Sequence, residues 1–202
     1  MTGVEGFLVG LGLVVGPICA AGLVLWPSGG ASIALLFGVF VGAGTVVGFG
    51  QQIRIGAGLI LTGAICCAIL LQGFRGADRP VTEGNLPSGR AFRLAAVLLV
   101  GLAAWGLSNP YAGAVGPLTP ARVSSGVVIL GMALLQLGLS QEQGEAALGL
   151  LSALGGFEML YIGLEPSLAL RAVLAGLMLG IALVSSILLA AGQATAREER
   201  RR

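Results

Sequence analysis

The chain contains neither histidine nor lysine, and all 11 of its basic residues are arginines. The absence of histidine excludes bis-histidine haem ligation and the usual imidazole metal sites. The absence of lysine excludes the retinal proteins, because no side chain can form the Schiff base. The three cysteines, Cys19, Cys66 and Cys67, lie within apolar segments, and the adjacent pair lacks the spacing of a zinc or iron–sulfur site. We interpret them as small packing residues and expect no metal and no cofactor.

Sequence motifs for nucleotide binding and for nucleophilic catalysis are also missing. The patterns GxxxxGK[ST], GxGxxG after a strand and GxSxG do not occur. No polar stretch is long enough to form a nucleotide-binding domain, and we expect no nucleic-acid partner. The chain is therefore expected to have no catalytic centre of its own. Any enzymatic role would be that of an accessory subunit in an oxidoreductase complex.

Charge is scarce and apolar residues are abundant. Charged residues make up 10% of the chain and hydrophobic residues 56%, with a mean hydropathy of +0.97. This composition is typical of an integral membrane protein rather than a water-soluble domain. The apolar runs lack the alternation of a lipid-facing barrel. We therefore predict an all-α integral membrane protein, with residues 1–202 forming a single transmembrane domain.

The apolar residues form seven runs, each near the roughly 20 residues that a spanning helix needs. Helix-breaking residues or charges separate them, as expected of membrane turns. We divide the chain into a four-helix part, 1–121, and a three-helix part with a basic tail, 122–202. The predicted helices cover residues 6–26, 31–50, 54–74, 93–109, 122–140, 146–164 and 168–192.

The distribution of arginine predicts the orientation, because cytoplasmic loops collect basic residues. Seven spans place the loop 75–93 and the tail 197–202 on one side, leaving Arg54, Arg122 and Arg171 on the other. This predicts an N-terminus outside and a C-terminus in the cytoplasm. A six-span alternative merges the second and third runs and moves the N-terminus inside. The arginine-only, glycine- and alanine-rich composition suggests a high-GC genome. We expect the chain to lie in a membrane, the bacterial cytoplasmic (inner) membrane.

Glycine accounts for 35 residues and often recurs at a spacing of four. Small residues four apart lie on one helix face and allow two helix backbones to approach closely. We interpret these faces as helix-packing surfaces within the chain. The alternative is that some of them dock against helices of another subunit, and both can hold together. The residues singled out are Gly38, Gly42, Gly44, Gly48, Gly176 and Gly180.

The most conspicuous polar residue is Glu158, which follows twelve uncharged residues and precedes six more. A charge at the bilayer centre costs about 2.5 kcal/mol or more, so an acid within a membrane segment suggests function. Glu165 lies two helical turns later and reaches the same face if the helix continues. Glu165 has an alternative interpretation as a solvated helix-end carboxylate paired with Arg171. Tyr161 is a further polar candidate in this region.

The helix carrying Gly-Phe-Glu-Met-Leu at 156–160 and Ile-Gly-Leu-Glu at 162–165 follows a short polar turn, and the next helix ends in a basic tail. In these features the segment from Val123 to Arg202 resembles the K-type small membrane subunit of respiratory complex I, Mrp antiporters and membrane-bound hydrogenases. The resemblance implies a glutamate in a lateral proton path. By depth this residue is Glu158, and by the local string it is Glu165; we choose Glu158 as the deeper one.

The chain departs from that family in its last helix, where the family contributes a second acid. Residues 169–189 contain no acid and offer only Ser185 and Ser186 as polar candidates. The leading hypothesis is a non-catalytic membrane subunit of a proton- or ion-translocating redox complex, whose partners are other membrane subunits and the lipid bilayer. One alternative is a small self-contained cation or proton transporter or channel. Another is a purely structural membrane subunit in which Glu158 bonds to a neighbouring helix.

Overall fold

The computed structural model describes residues 3–26, 30–50, 53–75, 90–111, 120–162 and 167–201. Within these residues the regular structure is entirely α-helical, which confirms the predicted all-α class. One helix coincides with each predicted apolar segment. The helices are α1 (Gly3–Leu25), α2 (Gly30–Gly50), α3 (Ile53–Arg75), α4 (Arg90–Tyr111), α5 (Pro120–Leu139), α6 (Gln143–Tyr161) and α7 (Leu168–Arg201).

Five of the helices are long and apolar enough to cross a membrane, as expected of an integral membrane protein. They are α1, α2, α3, α5 and α7. The apolar part of α4, Ala91–Leu107, is shorter than a full span. Helix α6 does not reach the same hydropathy, since its 19 residues include two acids, Glu145 and Glu158, besides several glycines. By length and composition, five helices among the described residues qualify as spans, and the predicted seven spans stay a prediction.

The helix ends follow local backbone chemistry. Helix α1 ends at Leu25, shortly before Pro27, because the residue preceding a proline disfavours helical geometry. At the start of α6 the Glu145 carboxylate turns back and accepts a hydrogen bond from the backbone N–H of Gln141 at 3.3 Å. Helix α7 continues to Arg201, beyond the predicted end at residue 192, and is about 50 Å long.

The helices pack as two layers of three. In the first layer α2 lies between α1 and α3, and in the second layer α6 lies between α5 and α7. Across the layers α1 packs on α5, α2 on α6 and α3 on α7, while α4 packs mainly on α5. Helices α1 and α5 run in the same direction, because Leu13 lies beside Ser125 and Gly16 beside Ile129. The two layers therefore repeat the same helix order, with α4 as the connection between them.

The first layer is held together by contacts between glycines. A Cβ at Gly42 on α2 would lie 2.6 Å from the backbone nitrogen of Gly16 on α1. A Cβ at Gly56 on α3 would lie 2.5 Å from the Cα of Gly48 on α2. Backbone atoms cannot move aside as a flexible side chain can, so only glycine permits these approaches.

Phe40 fills the space between the layers. Its side chain is completely buried on α2. A Cβ at Gly63 on α3 would lie 2.8 Å from Cδ2 of this ring, and a Cβ at Gly155 on α6 would lie 3.3 Å from its Cε1. One aromatic ring thus occupies room left by two glycines on two other helices.

Candidate functional site

Glu158 lies in the last turn of α6, about 5 Å along the axis from the helix end at Tyr161. Its side chain is only 6% exposed. It shares a helix face with Ala147 and Leu151, which are also buried. The sequence argument treated Glu158 as an acid deep within a span. The structure instead places it near one end of the bundle, and its burial comes from packing against other helices.

Arg122 lies in the first turn of α5, beside the end of α6. It is also 6% exposed, and its Nε donates a hydrogen bond to the backbone carbonyl of Met159 at 3.2 Å. The last carbonyls of a helix lack intrahelical partners and carry partial negative charge, which a guanidinium stabilises. Arg122 is therefore a cap of α6. Its Nη2 is buried and has no hydrogen-bond partner within the described part of the chain.

Arg171 lies in the first turn of α7 and shares a face with Leu174, Met178 and Ala182, all of them buried. Its charge acts electrostatically on both Glu158 and Arg122. Its Nε and Nη2 are buried and find no partner among the described residues. The sequence predicts this arginine at the outer end of its span, beyond the turn that follows the helix of Glu158. The structure brings them together, since α6 ends where α7 begins.

Arg122, Glu158 and Arg171 form what we call the Arg–Glu cluster. The C-terminus of α6 contacts the start of α5 through the bond from Arg122 to Met159, and α7 begins shortly after α6 ends. The cluster contains two cations and one acid, so it is suited to hold an anion or to exchange a proton at the carboxylate. No group of three or more histidine, cysteine or acidic side chains that could bind a metal occurs in the parts of the chain that the structure describes.

The other predicted polar candidates lie at different distances from Glu158. Tyr161 is one turn away, and its ring stacks on Phe157 with the ring centroids 5.5 Å apart. Ser185 and Ser186 are 14 and 15 residues after Arg171 on the same helix, which is about 20 Å along its axis. These two serines are therefore not part of the Arg–Glu cluster. Glu165 lies outside the described residues.

The predicted packing glycines fall into two groups. Gly38 and Gly42 face α1, while Gly44 and Gly48 face α3. Gly176 and Gly180 on α7 are exposed, and a Cβ at either would meet no atom within 4 Å. These two glycines lie opposite the buried face of α7 and face outward. The first group, in contrast, packs against neighbouring helices.

Further buried polar groups lie where α5 packs on α6. Gln136 donates through Nε2 to the carbonyl of Glu145 at 3.5 Å, but its Oε1 has no partner in the described regions. The hydroxyl of Ser152, halfway along α6, is likewise buried without a partner there. Near Gln136, Arg93 of α4 donates to the carbonyl of Val24 at 3.5 Å. Polar groups thus occur at both ends and in the middle of the second layer.

Sequence reasoning missed Arg122 as a site residue and treated it only as a charge outside the membrane. A signal was nevertheless present. Arg122, Gly126, Ile129, Ala133 and Gln136 recur at helical spacing, and all are buried in the structure. Because the apolar members of this stripe face the core, the arginine that begins it had to turn inward as well.

Comparison with known proteins adds no relative: the chain matches no family model, no curated protein and no solved structure.

Proposed function

We propose that the chain is a non-catalytic membrane subunit that assembles with other membrane helices in an ion- or proton-translocating redox complex. Glu158 is the residue that serves the proton path. The observation that carries the proposal is the burial of this acid, only 6% exposed, at the end of a membrane helix. A buried acid that contributes only to packing is costly compared with an apolar residue, which favours a functional role.

Helix α7 is the element suited to contact the partner. Only 11% of its apolar window is buried within the chain, the smallest fraction among the five candidate spans. Its outward face carries Gly176 and Gly180 with open space above them. Small residues four apart allow a second helix to approach closely, and van der Waals packing then stabilises the pair in lipid. Glu158, on the inner side of α7, would lie one helix away from such a partner.

The topology that goes with this function has seven spans, with α4 and α6 crossing as well. Helix α6 begins near Gln136, at the C-terminal end of α5, and ends near Arg122, at its start. It therefore runs the full length of its neighbour, and its 19 residues cover about 28 Å, close to the thickness of the hydrocarbon core. The arginine distribution then orients the N-terminus outside and the C-terminus in the cytoplasm of a bacterial inner membrane.

Gentle solubilisation from the native membrane, followed by mass spectrometry of what co-migrates, tests the subunit assignment. We expect antiporter-like and redox subunits to travel with the chain. Gly180→Leu should remove them, whereas Ala68→Leu, at an exposed position on the outer side of α3, is the matched control and should not. A chain that migrates alone or as a homo-oligomer contradicts the proposal.

The role of Glu158 needs a separate measurement on the intact complex. Glu158→Gln keeps the shape of the side chain and removes its titratable proton. We expect redox activity to continue while proton translocation per electron falls severalfold, because the path loses a proton-exchanging group. Glu145→Gln, at the other end of α6, is the control. Unchanged translocation in the Glu158 variant contradicts the role.

A second candidate function, a small self-contained transporter, is favoured by the repeated helix order. Helices α1 to α3 and α5 to α7 form layers of the same order, with α1 parallel to α5. Many transporters are built from such repeats, with their sites between them. Flux of protons or alkali cations into liposomes containing only this chain would support a transporter. If these liposomes show no flux under an imposed proton or cation gradient, the transporter function is excluded.

A further inference from the structure

The Arg–Glu cluster carries more positive charge and more hydrogen-bond donors than its described surroundings satisfy. Arg122 Nη2, Arg171 Nε and Arg171 Nη2 are all buried and lack acceptors among the described residues. Arg122 as a whole is buried, and Arg171 is half-buried. Glu158 supplies one negative charge against two positive ones. Because a buried cation without a counter-ion is strongly unfavourable, the excess positive charge favours a second anion.

The unsatisfied donors are of the kind that bind an oxyanion. Nε and Nη2 of Arg171 lie on one edge of the planar guanidinium, and this edge forms two parallel N–H···O bonds with a phosphate or carboxylate. Arg122 adds a third donor from α5, held in place by the bond from its Nε to the Met159 carbonyl. The N-terminus of α7, where Arg171 lies, contributes further positive potential.

The depth of the two arginines points to the membrane surface. Arg122 is the third residue of the candidate span Pro120–Leu139, and Arg171 is the third residue of the span Ala169–Gly192. Both therefore lie at the edge of the hydrocarbon core, next to the headgroup layer. Guanidinium groups at this depth are within reach of the phosphates of lipid headgroups, with which they form charge-assisted hydrogen bonds. We propose that Arg122 and Arg171 form a binding site for a phosphate oxyanion, supplied either by an anionic phospholipid or by free phosphate.

The test uses the full chain in three samples. They are nanodiscs of phosphatidylcholine alone, the same nanodiscs with added inorganic phosphate, and nanodiscs of phosphatidylcholine with phosphatidylglycerol. Thermal unfolding and the number of lipids retained in native mass spectrometry are measured. We expect Arg171→Gln to weaken anion binding about tenfold or more, since two charge-assisted hydrogen bonds are lost. Arg122→Lys keeps the charge but loses the guanidinium geometry, and it should weaken binding less. Arg54→Gln is the matched control, an exposed arginine at the same end of the bundle.

The outcomes separate the two sources of phosphate. Stabilisation by phosphatidylglycerol alone, lost in Arg171→Gln and kept in Arg54→Gln, identifies a lipid headgroup. Stabilisation by inorganic phosphate with the same variant pattern identifies a free anion. Equal responses of wild type, Arg171→Gln and Arg54→Gln overturn the proposal. It is also overturned if the wild type gives no response and Glu165→Gln creates one, because the chain's own carboxylate then satisfies the arginines.

This inference does not rest on the proposed function. Binding is measured on the isolated chain, without partners, redox chemistry or proton flux. A subunit that fails to co-migrate with others can still bind the anion, and a proton-translocating complex can lack the anion site. The two failures are therefore distinguishable.

Discussion

The two layers of the bundle use their interiors differently. In the first layer, α1 to α3, neighbouring helices contact each other through glycines. Of the buried polar residues in the described part of the chain, Ser32 alone lies in this layer. In the second layer, α5 to α7, buried polar residues occur along the α5 and α6 helices. They are Arg122, Ser125, Gln136, Ser152 and Glu158. Close backbone packing with few buried polar groups is suited to a rigid support. Buried polar groups are costly, so their number in the second layer suggests a function.

The comparison suggests that the first layer holds the second in place. Phe40 reaches across to Gly155, three residues before Glu158, so the first layer fixes the position of α6 where the Arg–Glu cluster forms. Variants in the first layer should therefore act on the stability of the fold. Variants in the second layer should cost less stability, and those in the Arg–Glu cluster should also alter binding and proton exchange.

The largest effect is expected from Gly42→Val in the first layer. The new side chain would collide with the backbone of Gly16, 2.6 Å from its nitrogen, and α1 would have to move away from α2. We expect a loss of about 3 kcal/mol, at the upper end of ordinary overpacking. Thermal unfolding in detergent measures this loss. A variant as stable as the wild type would show that the glycine contact does not hold the layer.

A smaller loss is expected from Arg122→Met. The change removes the cap on the Met159 carbonyl and leaves that acceptor buried without its donor. An unsatisfied buried acceptor costs about 1–3 kcal/mol, and removing a buried cation offsets part of this. A fall of about 1 kcal/mol in the free energy of unfolding, with faster hydrogen exchange at the end of α6, is the expected result. Unchanged exchange there would contradict the capping role.

Ser152→Ala should alter stability by less than about 0.5 kcal/mol, in either direction. Its hydroxyl is buried without a partner in the described regions, so the substitution removes a desolvated polar group rather than a hydrogen bond. Chemical denaturation or thermal unfolding provides the measurement. A loss above about 1 kcal/mol would mean that the hydroxyl has a bonding partner, such as an ordered water.

The smallest effect on the isolated chain is expected from Gly180→Val, the counterpart of Gly42→Val in the second layer. Open space surrounds Gly180, so the new methyl groups meet no other part of the described chain. Stability should change by no more than about 0.5 kcal/mol. Thermal unfolding of the purified chain is the check. A large loss would place Gly180 in an internal contact and remove the distinction between the two glycine groups.

The positions of the helices could be predicted because prolines, glycines or charges separate each apolar run from the next. Helix α5, for example, begins within two residues of its predicted start at 122, and α2 within one residue of 31. The end of α7 was missed, because a charged tail marks where lipid ends but not where helical hydrogen bonding ends. The number of spans is the weaker prediction, since the hydropathy of α6 is lowered by its own acids and glycines.

The Arg–Glu cluster was only partly predictable. Glu158 stands out in the sequence because it is an isolated acid, and the burial of Arg122 follows from the helical spacing of its stripe. The approach of Arg171 to both depends on which faces α6 and α7 turn toward each other. That choice is made by tertiary packing, such as Met178 and Ala182 on the inner face of α7, and no local pattern encodes it.

Phe40 has a consequence for how the sequence can change. The ring occupies space that Gly63 and Gly155 leave free on two other helices, so the three positions share one fixed volume. A larger residue at 63 or 155 requires a smaller one at 40, and a smaller residue at 40 leaves a void that one added methyl group can fill. Positions 40 and 155 are more than one hundred residues apart in the chain. Substitutions at the three positions should nevertheless be tolerated in compensating combinations rather than singly.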